Sequence, residues 1–283
     1  MILGDWGTSR LRLFRADGAG GWAKREGPGI GALDAPAAEV LDRTLGDWRG
    51  AAPVRLAGMA GARGGLREVG YVDCPADERA WRAGAARFRL GDLHVAIAAG
   101  LAMPPGAVAD VMRGEETQIF GALALDPALG RGEQLVIHPG THSKWAWIED
   151  GVVTRFRTFF TGELYALLLK STLTRLEGAA EGEAAGFADG LGATGEPLLG
   201  ALFTARAAQL REGKSAGWAK GYLSGLLIGH ELAALPEAAA PITLIGAPGL
   251  TDAYADALAA RGRDCQRLDG DACVIAGLER LED

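Results

Sequence analysis

A chain of 283 residues, 48% of them hydrophobic, exceeds one average domain and carries enough apolar material for two cores. A formal net charge of −7, a pI near 5.3 and the lack of any basic stripe exclude the usual profile of a nucleic-acid binder. Three widely spaced cysteines, Cys74, Cys265 and Cys273, make neither a disulfide framework nor a CxxC metal pattern, and no long apolar run suggests a signal peptide or a membrane span, so a cytoplasmic protein is expected.

Ile2 and Leu3 open a strand that runs into Gly4-Asp5-Trp6-Gly7-Thr8-Ser9. Leu11 and Leu13 then alternate with Arg10 and Arg12, which predicts a second, half-buried strand. Asp17-Gly18 is a hairpin turn, and a third strand begins at Trp22 and Ala23. Residues 54–56 read as a buried strand ending in Gly58-Met59-Ala60-Gly61. Residues 107–112 lead into Gly114 and a predicted helix over 115–125, which Asp126-Pro127 ends. A lobe boundary is expected near 126–133, dividing the chain into residues 1–126 and 127–283.

The opening pattern then recurs. Leu135-Val136-Ile137 runs into His138-Pro139-Gly140-Thr141-His142-Ser143-Lys144, Trp145 and Trp147 alternate, Asp150-Gly151 turns the chain, and residues 152–160 return. Gly7-Thr8-Ser9-Arg10 thus resembles Gly140-Thr141-His142-Ser143-Lys144, an internal repeat of a hairpin with a Gly-Thr-Ser tip. Residues 178–196, rich in Gly, Ala and Glu, predict a loop-and-helix excursion beginning at Gly178. Helices are predicted over about 197–211 and 216–234, then a buried strand over 242–245. It ends in Gly246-Ala247-Pro248-Gly249 before a helix near Thr251, and residues 272–281 form a terminal amphipathic helix.

The tips carry the chemistry. Phosphate needs converging backbone N–H groups, which glycine permits, and hydroxyls as further donors. Gly7-Thr8-Ser9 and Gly140-Thr141 with Ser143 supply both, so these residues are candidates to clamp a polyphosphate from two sides. Asp5, just ahead of the first tip, is a candidate to hold Mg2+ through water. A strand that ends in Gly246 to Gly249 and leads into a helix is a place where a nucleotide sits, although each tip alone also reads as a plain hairpin turn. His138 and His142 are four apart, but Pro139-Gly140 between them argues against a helical zinc site.

Four segments together resemble the 2-dehydro-3-deoxygalactonokinases, within the actin-like ATPase and sugar-kinase superfamily. They are Asp5-Trp6-Gly7-Thr8-Ser9; Gly58-Met59-Ala60-Gly61-Ala62-Arg63 through Tyr71-Val72-Asp73-Cys74-Pro75-Ala76; Met112-Arg113-Gly114-Glu115-Glu116-Thr117-Gln118; and Pro139-Gly140-Thr141-His142-Ser143-Lys144-Trp145 through Phe160-Thr161-Gly162-Glu163-Leu164. Around Gly64 to Gly70 the chain departs from the family, which more often has a Trp and an Ala-Pro pair there. The resemblance implies an α/β fold of two actin-like (ribonuclease H-like) lobes with a nucleotide cleft between them. It places the first phosphate hairpin and the sugar-acid site in residues 1–126, and the second hairpin and the adenosine site in 127–283. It also implies Mg-ATP as phosphoryl donor and 2-dehydro-3-deoxy-D-galactonate as acceptor, giving a 6-phosphate ready for an aldolase in galactonate catabolism. Self-association into a homo-oligomer stays open.

Within that frame Arg63, after the Gly58 turn, is the first choice to grip the substrate carboxylate, and Arg113, Lys144 and Glu163 are further substrate-binding candidates. Three acids, Asp110, Glu115 and Glu116, could orient the attacking hydroxyl and take its proton. Helical geometry puts Glu116 on the inward face with Ile119, Phe120 and Leu123, so Glu116 is preferred as base and Asp110 is the runner-up. The competing readings are an exopolyphosphatase-like phosphohydrolase, which shares a Gly-Glu-Glu segment, and a non-catalytic sugar-acid-binding regulator. A regulator of that kind needs a helix-turn-helix ahead of a first hairpin that here begins at residue 2.

Overall fold

The structure, a computed structural model, describes residues 1–50, 52–171, 179–236 and 240–281. In chain order the elements are β1 (Ile2–Trp6), β2 (Arg10–Ala16), β3 (Trp22–Pro28), α1 (Ala37–Leu45), β4 (Val54–Gly58), β5 (Tyr71–Asp73), α2 (Glu78–Ala83), β6 (Ala86–Leu90), β7 (Leu93–Ile97), β8 (Gly100–Ala102), β9 (Val111–Met112) and α3 (Glu115–Leu125). There follow β10 (Glu133–His138), β11 (Ser143–Glu149), β12 (Val152–Phe159), α4 (Thr161–Lys170), α5 (Glu183–Gly192), α6 (Leu198–Glu212), α7 (Ala216–Leu232), β13 (Ile242–Gly246), α8 (Pro248–Ala259), β14 (Cys265–Asp269) and α9 (Gly270–Glu279). The chain forms two compact units, one of Met1–Val136, Trp145–Arg157 and Leu268–Asp283, the other of Ile137–Lys144 and Thr158–Arg267. No helix among the described residues is long and apolar enough to cross a membrane.

The predicted repeat is a repeat of topology. One sheet runs β3-β2-β1-β4-β7-β6, with β1–β3 antiparallel neighbours and β4 parallel to β1. A second runs β12-β11-β10-β13-β14, the same order from three consecutive strands to a fourth that arrives after helices. This order is the one a ribonuclease H-like lobe requires. A small third sheet runs β5-β8-β9. The alternation in β2 does what its pattern predicts: Leu11 and Leu13 are fully buried, in a core with Ile2, Trp6, Val40 and Leu56, while Arg10 is exposed.

In the first unit α3 lies on α9, and two glycines make the contact. A Cβ at Gly121 would overlap the Cys273 carbonyl oxygen, and one at Gly277 would overlap that of Thr117. In the second unit α7 carries Gly217, Gly221, Gly225 and Gly229 at four-residue spacing, which puts them on one face. Gly221 and Gly225 abut the α5 carbonyls of Glu183 and Phe187, and Gly186 and Gly190 on α5 abut those of Trp218 and Tyr222. Backbone meets backbone along this seam, so α7 is buried over most of its length.

Several elements escape the pattern reading. The β6–β7 hairpin is one, although Ala86-Arg87-Phe88-Arg89-Leu90 alternates apolar and charged residues and leaves Arg87, Arg89 and His94 exposed. Helix α4 has no fully buried residue, so its apolar stripe is thin. The predicted segment over 107–112 condenses to the two-residue β9, because Met103 bonds back to the Asp110 carbonyl and closes a loop. Helix α5 falls in the expected excursion, whose starting residue Gly178 lies outside the described residues.

Candidate active site

In the first unit the sequence candidates gather at the ends of β1 and β4 and the start of α3. Asp5 is the fourth residue of the buried β1 and is 8% exposed. Its cross-strand partner on β2 is Arg12, whose guanidinium pairs with Asp5 and with Asp271 at the start of α9. Lys24 also reaches Asp271, at 3.1 Å. Asp5 thus sits in a charge network that pattern reading missed, although the alternation that sets Arg12 opposite to the buried leucines was the available signal.

The tip Gly7-Thr8-Ser9 is exposed at Thr8 and Ser9. Its carbonyls are held from behind: Ile30 N–H donates to Gly7 at 3.1 Å and Gly31 N–H to Thr8 at 2.9 Å. Gly29 packs so closely that a Cβ would overlap the Thr8 carbonyl oxygen. The tip's carbonyls are therefore occupied, while Thr8 and Ser9 are exposed.

Gly58 ends β4 at φ 76°, and a Cβ there would lie 2.7 Å from the Trp6 carbonyl oxygen and 3.3 Å from Asp5 Oδ1. Gly114 caps α3 at φ 112°, and its Cβ would lie 3.3 Å from Gly58 Cα. Both angles suit glycine, and the two residues let β1, β4 and α3 meet backbone to backbone. Directly behind Gly114, Glu116 is fully buried; its Oε2 accepts from Gly114 N–H at 2.6 Å and its Oε1 from the Thr117 hydroxyl at 3.0 Å. Burial, with a smaller push from Glu115, drives the Glu116 carboxyl up to about 8, against those two hydrogen bonds. The inward orientation expected from helical spacing holds: Ile119 and Phe120 are buried with it, and Glu115 is half-buried, accepting from Arg113 N–H.

The other first-unit candidates separate. Asp110 is half-buried, and its Oδ1 accepts from its neighbour Val111 N–H at 2.9 Å. Arg63 is exposed. Arg113 lies over the Tyr71 ring at 4.3 Å, and its Nη2 donates to the Val69 carbonyl at 2.7 Å. Its Nη1 would lie 2.8 Å from a Cβ at Gly61.

The second unit repeats the arrangement. Thr141 and His142 are exposed at the tip, and the Thr141 carbonyl accepts from Glu163 N–H at 2.8 Å. Gly162 stands behind Gly140 as Gly29 stands behind Thr8, with no room for a Cβ. Both backing glycines follow the third strand of their hairpin, a regularity present in the sequence and not read from it. Glu163 pairs with His142 Nε2, and the His142 ring stacks on the exposed Phe160 at 5.7 Å. Gly246, at the end of β13, lies beside the same tip, and a Cβ there would be 3.6 Å from the Pro139 carbonyl oxygen. Gly249 stands in open space in the first turn of α8.

Two side chains expected at the ligand point inward instead. Ser143 is fully buried and donates to Glu231 at 2.7 Å; Lys144 is buried, with its Nζ on the Thr158 hydroxyl at 2.8 Å. The reason is local: β11 begins at Ser143, and its first four residues are all buried. Glu231, from α7, also accepts from Thr161 and Tyr254, and none of these partners was among the sequence candidates. Among the described residues no three of His, Cys, Asp and Glu gather to hold a metal ion.

Comparison with known proteins decides the family. The family model described as 2-keto-3-deoxy-galactonokinase matches residues 5–281, from Asp5 through both tips to the last helix. The chain belongs to this family. A Rhizobium meliloti (strain 1021) protein named probable 2-dehydro-3-deoxygalactonokinase is 39% identical over 97% of this chain and 94% of its own length. The Escherichia coli (strain K12) 2-dehydro-3-deoxygalactonokinase is 34% identical over 98% of this chain and 95% of its own. A crystal structure of a Sinorhizobium meliloti protein described by the same activity superposes with a TM-score of 0.85 at 36% identity, covering 99% of this chain and 97% of that one. A galactonokinase-family chain of this length and architecture is a sugar kinase, and the hydrolase and regulator readings are not favoured.

Proposed function

We propose that this kinase transfers the γ-phosphoryl group of ATP to the 6-hydroxyl of 2-dehydro-3-deoxy-D-galactonate, giving ADP and the 6-phosphate. The family match over residues 5–281 carries the reading. Its support in the site is the pair of Gly-Thr tips, each with its carbonyls or backbone held from behind and with Thr8, Ser9 and Thr141 exposed. In this reading Gly7, Thr8, Ser9, Gly140 and Thr141 contact phosphates, with Ser143 contributing through its backbone, and the turn from Gly246 to Gly249 receives the adenosine. The functional division at residues 126/127 and a cytoplasmic setting belong to the same proposal.

Phosphoryl transfer asks for positioning and charge neutralisation more than covalent chemistry. Asp5 would hold a Mg2+ ion through water beside the phosphates, in keeping with that ion's preference for a single carboxylate and retained waters. The bound ion neutralises charge on the phosphates. Arg12 pairs with Asp5 and so compensates the charge of a buried carboxylate beside the tip. Arg63 and Arg113 are the cations offered to the substrate carboxylate, and Glu163 an acceptor for its hydroxyls; Lys144 supports the second tip from inside through Thr158. Glu116 takes the 6-hydroxyl proton as the oxygen bonds to phosphorus and the bond to ADP breaks. A carboxyl held near 8 carries its proton at neutral pH and becomes the base form as pH rises toward 8, so turnover through it should increase over that range. Because it is sealed behind Gly114, the start of α3 must open to admit the hydroxyl; Asp110 is the second candidate for the role.

The test is ADP release from Mg-ATP with a panel of 2-keto-3-deoxy sugar acids. Release that depends on 2-dehydro-3-deoxy-D-galactonate, with phosphate recovered on carbon 6, supports the reading. Phosphate release that ignores the sugar acid turns the assignment to a hydrolase.

A further inference from the structure

Glu231 is a buried carboxylate in the last turn of α7, 4% exposed, with no part in the chemistry above. Its position is unfavourable twice over: a negative charge at a helix C-terminus opposes the dipole, and burial strips its hydration. Three hydroxyls offset this. Ser143 Oγ donates to Oε1 at 2.7 Å, Tyr254 OH donates to Oε2 at 2.6 Å, and Thr161 Oγ1 donates to Oε2. The Tyr254 phenol is held well above its usual range by burial and by the Glu231 charge, so it stays a donor.

The three donors belong to the three segments that form the ligand-facing edge of the second unit. Ser143 follows the tip Gly140-Thr141-His142 directly. Thr161 opens α4, and the next two residues are Gly162, packed on the Gly140 carbonyl, and Glu163, whose N–H holds the Thr141 carbonyl. Tyr254 stands on α8, the helix that starts just after Gly246. Helix α7 is a rigid base for the hub, because the glycine seam locks it to α5.

We propose that Glu231 is the positioning residue of the nucleotide half-site: from the buried side its carboxylate sets the second tip, the start of α4 and α8 in the single arrangement that receives ATP. The proposal rests on the function proposed above and deepens it. A carboxylate offers two acceptor oxygens to three donors; in Glu231→Gln, at nearly constant volume, one of these becomes an NH2 donor, so at least one of the three hydrogen bonds must reverse or break and all lose their charge assistance. A charge-assisted hydrogen bond lost in this way corresponds to about a tenfold weakening of the geometry it enforces.

The experiment compares wild type with Glu231→Gln and Tyr254→Phe in the full chain, measuring ATP Kd by calorimetry, KM for ATP and for sugar acid, and the thermal midpoint. Tyr254→Phe removes one buried hydroxyl and tests the hub if Glu231→Gln does not fold. The expected result is an ATP Kd and KM raised about tenfold in Glu231→Gln and about threefold in Tyr254→Phe, with sugar-acid KM within about twofold of wild type. Unchanged ATP Kd in the folded variants overturns the proposal, as does an equal rise in both KM values. Wild type that binds ATP but phosphorylates no sugar acid would defeat the function proposed above and still leave the Glu231 comparison readable through ATP Kd.

Discussion

Glu116 separates two demands on one residue. Its carboxyl titrates near 8 in the folded chain against an ordinary value near 4.5. Between those values the folded state holds a proton that the unfolded state has released, so stability falls as pH rises from about 5 to about 8 and then levels. The loss is at most about 5 kcal/mol, and less if α3 relaxes. Glu116→Gln should flatten that slope in urea melts between pH 5 and 9, and its turnover should drop by about two to four orders of magnitude with ATP binding retained. Near-normal turnover would pass the base role to Asp110, testable with Asp110→Asn. Asp5→Asn is expected to cut turnover strongly and to raise the Mg2+ concentration needed for half-maximal rate, with the fold intact by circular dichroism. An unchanged Mg2+ requirement would remove Asp5 from the metal site. This substitution also leaves Arg12 paired only with Asp271, so a small loss of stability is expected alongside.

At the scale of elements, the tips and the α5–α7 seam are built on glycines that let backbones touch. Gly29→Ala drives a methyl into the Thr8 carbonyl and must displace the first tip. We expect ATP kcat/KM to fall about tenfold or more, with a stability loss of about 1–3 kcal/mol measured in urea. Full activity would mean the tip does not need its backing strand. The α5–α7 seam is harsher. Gly221→Leu sets a side chain against the Glu183 carbonyl, and neither helix has room to yield. This variant should be unfolded or insoluble. Gly200→Ala on α6, where a Cβ meets nothing within 4 Å, serves as the control and should be neutral or stabilising by about 0.5–1 kcal/mol. If both glycine variants melt like wild type, the seam is not what holds α7, and the rigidity assigned to Glu231 loses its basis.

For the whole molecule, the expectation is linkage. A ligand that binds only the folded state raises stability with the logarithm of its concentration, by about 2.7 kcal/mol at one hundred times Kd. Mg-ATP should raise the thermal midpoint, and Asp5→Asn should blunt the Mg2+-dependent part of that rise. No shift with Mg-ATP at any concentration would contradict the nucleotide site. The repeated sheet order, β3-β2-β1-β4 and β12-β11-β10-β13, sets a Gly-Thr tip between the first two strands of each hairpin, which is why the short sequence repeat carried so much of the architecture.

What the sequence determined by itself was local. Alternation fixed β2 and its buried leucines, caps and punctuation fixed α3 at residues 115–125, and the four family-like segments pointed to a sugar kinase. Those signals are legible because strand period, helix period and glycine turns are properties of neighbours in the chain. The tertiary structure decided the rest. It turned Ser143 and Lys144 inward, set Arg12 on Asp5 and Asp271, put Gly29 and Gly162 behind their tips, and gathered Ser143, Thr161 and Tyr254 on Glu231. Each of these joins residues far apart in sequence, and which donor meets which carboxylate depends on packing between elements, which no local period encodes.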